Sequence, residues 1–126
     1  MKRISFNHRF INAAGDDLIA GKIHTIRQNY EYWKRFEERE VALFTWEGKP
    51  YQKGSKQKVF CVKKIISVQQ ISVGGYYFEC EDRFIDPVIF AKNDGFNHGY
   101  ELCDWFSIDK RKSGEMAILH FTDFRY

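Results

Sequence analysis

The sequence predicts an α+β domain: a small, mostly antiparallel, partly closed β-barrel with short helices packed over its open side. Three observations lead there. Five or six runs rich in β-branched and aromatic residues are too many strands for a helix bundle. The order of strand and helix segments lacks the repeating βαβ rhythm of a doubly wound sheet. In a chain of 126 residues, closing the sheet also hides strand edges that would otherwise pair with other chains.

The elements follow in order. Lys2 to Phe6 reads as a first strand with Ile4 and Phe6 inward. Phe10 and Ile11 lead into a short helix, carried on by Asp16 to Ala20 and stopped by Gly21. Lys22 to Arg27 is the next strand. From Tyr30 to Glu40, Tyr30, Trp33 and Phe36 recur at helical spacing opposite Lys34, Arg35, Glu38 and Arg39, the pattern of an amphipathic helix. Val41 to Trp46 is a strong strand, ended by a Glu47-Gly48-Lys49-Pro50 turn. A lysine-rich connection over 51–57 precedes the longest strand, Lys58 to Val68. Gly74-Gly75 turns the chain into Tyr76 to Glu81. Val88 to Phe90 is apolar and leads to the Asn93-Asp94-Gly95 turn, after which a helix over Asn97 to Ile108 turns Leu102, Trp105 and Phe106 inward. Met116 to Phe121 is the last strand.

Composition narrows the function classes. With 44% hydrophobic and 17% aromatic residues the chain closes one core, which excludes wholesale disorder. It holds no apolar run of the roughly 18 residues that span a bilayer, and no charged-then-apolar leader, so the expected setting is cytoplasmic with no membrane partner. Cys61, Cys80 and Cys103 are odd in number without CxxC spacing, and read as small core residues of a reducing compartment. His8, His98 and His120 have no metal-ligand spacing, and no metal or cofactor is implied. A net charge of +3 permits nucleic acid without requiring it. The charges are unevenly spread. Residues 49–64 carry Lys49, Lys53, Lys56, Lys58, Lys63 and Lys64 with no acid, while 79–86 set Glu79, Glu81, Asp82 and Asp86 against Arg83 alone.

The stretch Gly21-Lys22-Ile23-His24-Thr25-Ile26-Arg27 concentrates groups able to hold an anion or a polar ring. Read with Asn93-Asp94-Gly95-Phe96, it suggests a cationic pocket with a carboxylate at its edge. On an ideal strand Lys22 and His24 share one face while Thr25 and Arg27 take the other. A bulge or twist near Gly21 is then needed to bring Lys22 and Thr25 to one site. For binding, Lys22 and Arg27 suit phosphates, and Arg27 can fork onto a base edge. Trp46, Tyr51, Tyr76 and Tyr77 offer flat faces to unstacked bases. Lys53, Lys56 and Lys58 supply an electrostatic track on one rim. Structural alternatives stand beside these: Asp94 as a helix cap, Lys22 in an ion pair with Asp94, His24 as a hydrogen-bonded interior residue, and the lysine-rich loop as a solvated surface.

Phe6 and Phe10, the Gly21–Arg27 stretch, Val41-Ala42-Leu43-Phe44, Asn93-Asp94-Gly95-Phe96, Trp105-Phe106 and His120-Phe121 together resemble the ASCH domains, small barrels related to the PUA fold. The resemblance implies a PUA-like barrel. Some members bind RNA or DNA in a cleft between barrel and helices, and a bacterial branch is an amidohydrolase of N4-acetylcytidine using a lysine, a threonine and a glutamate. These fall on Lys22, Thr25 and Asp94, the last a carbon shorter than glutamate. In that reading Thr25 attacks or orients water, Lys22 is the base, and Asp94 orients the lysine or moves a proton to the leaving amine. The expectation carried forward is binding of RNA or a nucleotide in a cleft lined by Lys22, His24, Thr25, Arg27, Asn93 and Asp94. The alternative is hydrolysis of N4-acetylcytidine or a similar modified nucleoside.

Overall fold

The computed structural model describes residues 1–74, 77–98, 101, 102, 104 and 115–126. Its strands are β1 (Arg3–Ser5), β2 (His24–Gln28), β3 (Glu40–Glu47), β4 (Lys56–Lys64), β5 (Ser67–Gly74), β6 (Tyr77–Cys80), β7 (Arg83–Ile85) and β8 (Glu115–His120). They form two sheets, one in the order β1-β3-β4 and one in the order β2-β8-β5-β6-β7. β1 runs parallel to β3, with Ser5 opposite Phe44, and every other pairing is antiparallel.

Neither sheet closes, so the expected barrel, PUA-like or otherwise, is corrected to two open sheets. The reason lies at two places. The run Lys58 to Val68, read as one strand, is two: Ile65 donates its N–H to Arg39 and Ile66 donates to His120, so the chain leaves the first sheet and joins the second between them. At the other junction, β1 and β2 are edges of different sheets, and side chains rather than a backbone ladder fill the space between them. Arg27 bridges it, donating from Nη2 to the Ser5 carbonyl at 2.5 Å.

The core lies between the sheets. Ile4, Phe6, Val41 and Leu43 come from the first, and Ile26, Val68, Ile71, Phe78 and Ile118 from the second, with Trp33 and Phe90 from the helices. Burying side chains of this size is worth about 1.5–3 kcal/mol each. A β-bulge in β4 passes over Phe60, whose ring meets Phe6 edge-on at 6.1 Å. Of the cysteines, Cys80 is buried, Cys61 half-buried, and both are free; burial pushes each thiol up to about 11.

The helices depart from expectation where polar side chains capture the backbone. In place of a helix ending at Gly21, a short 3-10 turn at His8–Phe10 is followed by a loop organised by Asn12. Asn12 Oδ1 accepts from the Asp16 and Asp17 N–H groups, which removes the donors a helix would use. α1 (Tyr30–Lys34) is capped by Asn29 and stops early, because Glu38 turns left-handed (φ 68°) and donates to Ile65. α2 (Pro87–Asn93) stands where only an apolar patch was read, with Asp86 accepting from the Val88 N–H and Pro87 at its first position. Glu101, Leu102 and Asp104 are helical, with Leu102 buried. Asn97 and His98, where the helix was expected to begin, form a bend, while 99, 100 and 105–108 of the expected helix, Trp105 and Phe106 included, lie outside the described residues, as do Gly75, Tyr76 and Cys103.

Candidate functional site

Two clefts meet between β1 and β2. The inner one holds about 60 Å³ and is lined by Lys22, Thr25, Arg27 and Asp94 together with Asn7 and the rings of Phe6, Phe10 and Phe96. The outer one holds about 450 Å³ and is lined by His8, Thr45, Trp46, Gly48, Pro50 and Tyr51. Ser5, Phe6, Asn7 and Arg27 line both, so the two are one groove with a polar floor and an aromatic mouth.

Lys22 reaches the floor from just outside β2. A turn closed by the Lys22 N–H on the Ile19 carbonyl, with Gly21 at φ 89°, delivers it there, and β2 starts only at His24. Strand alternation therefore never applies to Lys22, and no bulge is needed to join it with Thr25. Within β2, Thr25 and Arg27 share the face toward the groove. Lys22 Nζ donates to the Asp94 carbonyl at 2.6 Å and to Asp94 Oδ1 at 3.2 Å, and lies 4.5 Å from the centre of the Phe10 ring. Asp94 is the C-cap residue of α2, its N–H donating to the Phe90 and Ala91 carbonyls. Gly95 follows at φ 88°. A Cβ there would lie 3.1–3.2 Å from Lys22 and Phe10, so the lysine packs directly on the glycine backbone.

Behind Asp94 stands His24, fully buried. Its Nδ1 is 3.1 Å from Asp94 Oδ1 and its Nε2 is 2.7 Å from the Tyr126 hydroxyl. With a carboxylate on one side, Nδ1–H donates to Asp94 and the Tyr126 O–H donates to Nε2. Asn93 Nδ2 donates in turn to the Tyr126 oxygen at 3.1 Å. Burial raises the Asp94 carboxyl, but the Lys22 charge and the His24 hydrogen bond outweigh it, and the group titrates below the usual range. For Lys22 burial dominates over the attraction of Asp94, and its ammonium is easier to deprotonate than an ordinary lysine. Lys22, Arg27 and Asp94 leave one positive charge in excess on the groove floor.

Of the residues expected at the site, Lys22, Thr25, Arg27 and Asp94 converge, and Trp46 joins them through the outer cleft. His24 and Asn93 do not line the groove; they hold Asp94 and Tyr126 from behind. Lys53, Lys56 and Lys58 are exposed and line neither cleft, although the register sets Lys58 opposite Thr45 and Lys56 opposite Glu47, one strand from the groove wall. Tyr51 stands in the mouth, its ring centre 5.1 Å from that of Trp46. Sequence reasoning missed Asn7, Thr45 and Tyr126. Asn7 could have been found as the cap of the 3-10 turn, since it accepts from the Arg9 N–H, but nothing local marks Tyr126.

Among the described residues no three His, Cys, Asp or Glu side chains are grouped to hold a metal ion, and no helix is long and apolar enough to cross a membrane. Comparison with protein-family models, with curated proteins and with solved structures found no match to this chain. The ASCH resemblance thus rests on motif residues alone, while the barrel it implied is contradicted by the two open sheets. The amidohydrolase expectation came with that barrel and loses the support it drew from it.

Proposed function

We propose that the chain binds a nucleotide, or a nucleotide unit of single-stranded RNA, in the groove between β1 and β2. The observation that carries the reading is the continuity of the two clefts through Arg27: a cationic floor and an aromatic mouth share one wall. A base gains about 1–3 kcal/mol from stacking on an aromatic side chain, and Trp46 and Tyr51 offer such faces at the mouth. The exposed Lys53, Lys56 and Lys58 flank that mouth along the chain and add a sequence-independent attraction for phosphates. A cytoplasmic setting, where free thiols such as Cys61 and Cys80 persist, belongs to the same proposal.

Fluorescence anisotropy of a labelled single-stranded hexauridylate tests it. Binding is expected to weaken as salt is raised from 50 to 200 mM, and Trp46→Ala to cost about 5- to 100-fold, the equivalent of one lost stacking contact. Absence of hexauridylate binding at 50 mM salt refutes the RNA form of the reading, and a Trp46→Ala variant that binds as wild type does refutes the groove as the site.

A further inference from the structure

We infer that Arg27 is the phosphate-binding residue of this groove, holding the phosphate of a nucleotide whose base lies on the Trp46–Tyr51 side. The inference rests on the nucleotide-binding reading and assigns the polarity of the ligand within it.

Among the described residues Arg27 is the one arginine that is not exposed. Arg9 is paired with Glu101 and Arg125 with Glu81, both near the surface. Arg27 is half-buried, yet among the described residues it forms no ion pair. Of the five N–H donors a guanidinium carries, one is committed to the Ser5 carbonyl. Its guanidinium carbon lies over the Phe6 ring, 5.0 Å from the ring centre, a contact that uses none of its donors. Asp94, the acid on the same floor, already holds Lys22 and His24. A guanidinium that is partly desolvated, feels Asp94 only at a distance and makes no direct ion pair among the described residues suits an anion that accepts two N–H bonds side by side, as phosphate oxygens do.

Position decides the rest. Arg27 lines both clefts, and the inner one, at about 60 Å³, is too small for a base. The outer, at about 450 Å³, is within the 300–1,000 Å³ range of small-ligand sites and carries the aromatic faces. A phosphate on Arg27 therefore directs the base outward to Trp46 and Tyr51. The phosphate can belong to a free nucleotide or to an RNA strand, and the test separates the two.

The full chain is titrated calorimetrically with adenosine, adenosine 5′-monophosphate and single-stranded hexauridylate. Charge-assisted hydrogen bonds of this kind favour the monophosphate over adenosine by about tenfold or more in wild type. Arg27→Gln is expected to reduce that ratio to under about threefold. If hexauridylate binds and the mononucleotide does not, the phosphate belongs to a strand, and Arg27→Gln is expected to lower the salt slope by about 0.7, one phosphate contact on a single strand. Because Arg27 also braces Ser5, thermal melting is recorded beside each titration; if Arg27→Gln is not folded, Arg27→Lys, which keeps the charge without the fork, decides by the same ratio and is expected to fall between the two. A ratio and salt slope unchanged in both variants overturn the assignment of Arg27 and leave nucleotide binding standing. Failure of all three ligands to bind wild type overturns both.

Discussion

Replacing Asp94 by Asn tests the floor of the groove most directly. The Lys22 side chain is 2% exposed and that of Asp94 6%, so the pair is effectively out of water. In Asp94→Asn the ammonium keeps its 2.6 Å bond to the backbone carbonyl, and His24 Nδ1 keeps an acceptor, but the compensating charge is gone. An uncompensated buried charge costs about 3–5 kcal/mol. Lys22→Met is milder, at about 1–3 kcal/mol, because the remaining carboxylate retains the His24 N–H. The double variant removes both charges, so its loss falls well short of the summed single losses, with a coupling of about 1–3 kcal/mol. Urea denaturation at pH 7 reads all three. The sign with pH follows from the lowered Asp94 carboxyl: its contribution is complete above the ordinary carboxylate pKa near 3.9 and is lost as pH falls through the depressed value, a dependence Asp94→Asn lacks. An Asp94→Asn cost below about 1 kcal/mol, or losses that simply add, would refute the reasoning.

His120 donates from Nε2 to Gln69 Oε1 at 2.8 Å, while its buried Nδ1 has no partner among the described residues. Burial first, then His24 and Arg125, lower its pKa to about 3. The unfolded chain therefore takes up a proton below about pH 6.5 that the folded chain refuses, and stability falls on acidification from there toward pH 3. Between pH 6.5 and 5 the drop is about 1.6 kcal/mol, and His120→Asn, which preserves a donor to Gln69, flattens that part of a urea-midpoint profile. Gly95→Ala forces a Cβ into left-handed backbone against Lys22 and Phe10; a loss of about 2 kcal/mol in thermal or urea unfolding is expected, with weaker nucleotide binding as Lys22 shifts.

The site was more legible in the sequence than the architecture around it. Lys22, Thr25 and Arg27 sit within six residues, and the Asp94-Gly95 turn supplies both a carboxylate and a backbone the lysine can rest on. The facing of Lys22 was misjudged because the strand begins two residues later, at His24. α2 was announced by Asp86-Pro87, an N-cap acid before a first-position proline, and that signal was overlooked. The division into two sheets had no such marker. Lys63-Lys64-Ile65-Ile66-Ser67 contains neither glycine nor proline, and continues an apolar pattern while its hydrogen bonds change sheets. Asn12 shows the opposite failure. Leu18, Ile19 and Ala20 favour helix locally, but the Asn12 side chain takes the Asp16 and Asp17 N–H groups, four and five residues on, that a helix needs.

Because the two groove walls belong to different sheets, the aperture depends on how the sheets meet as well as on the loop of Gly48, Pro50 and Tyr51 at its mouth. The chain crosses between the sheets at Ile65-Ile66, and the Arg27–Ser5 bond ties them on the far side. An occupant spanning Arg27 and Trp46 is then a strut between the sheets. Its presence would be felt as slower amide exchange along β1 and β2, even at positions it never touches.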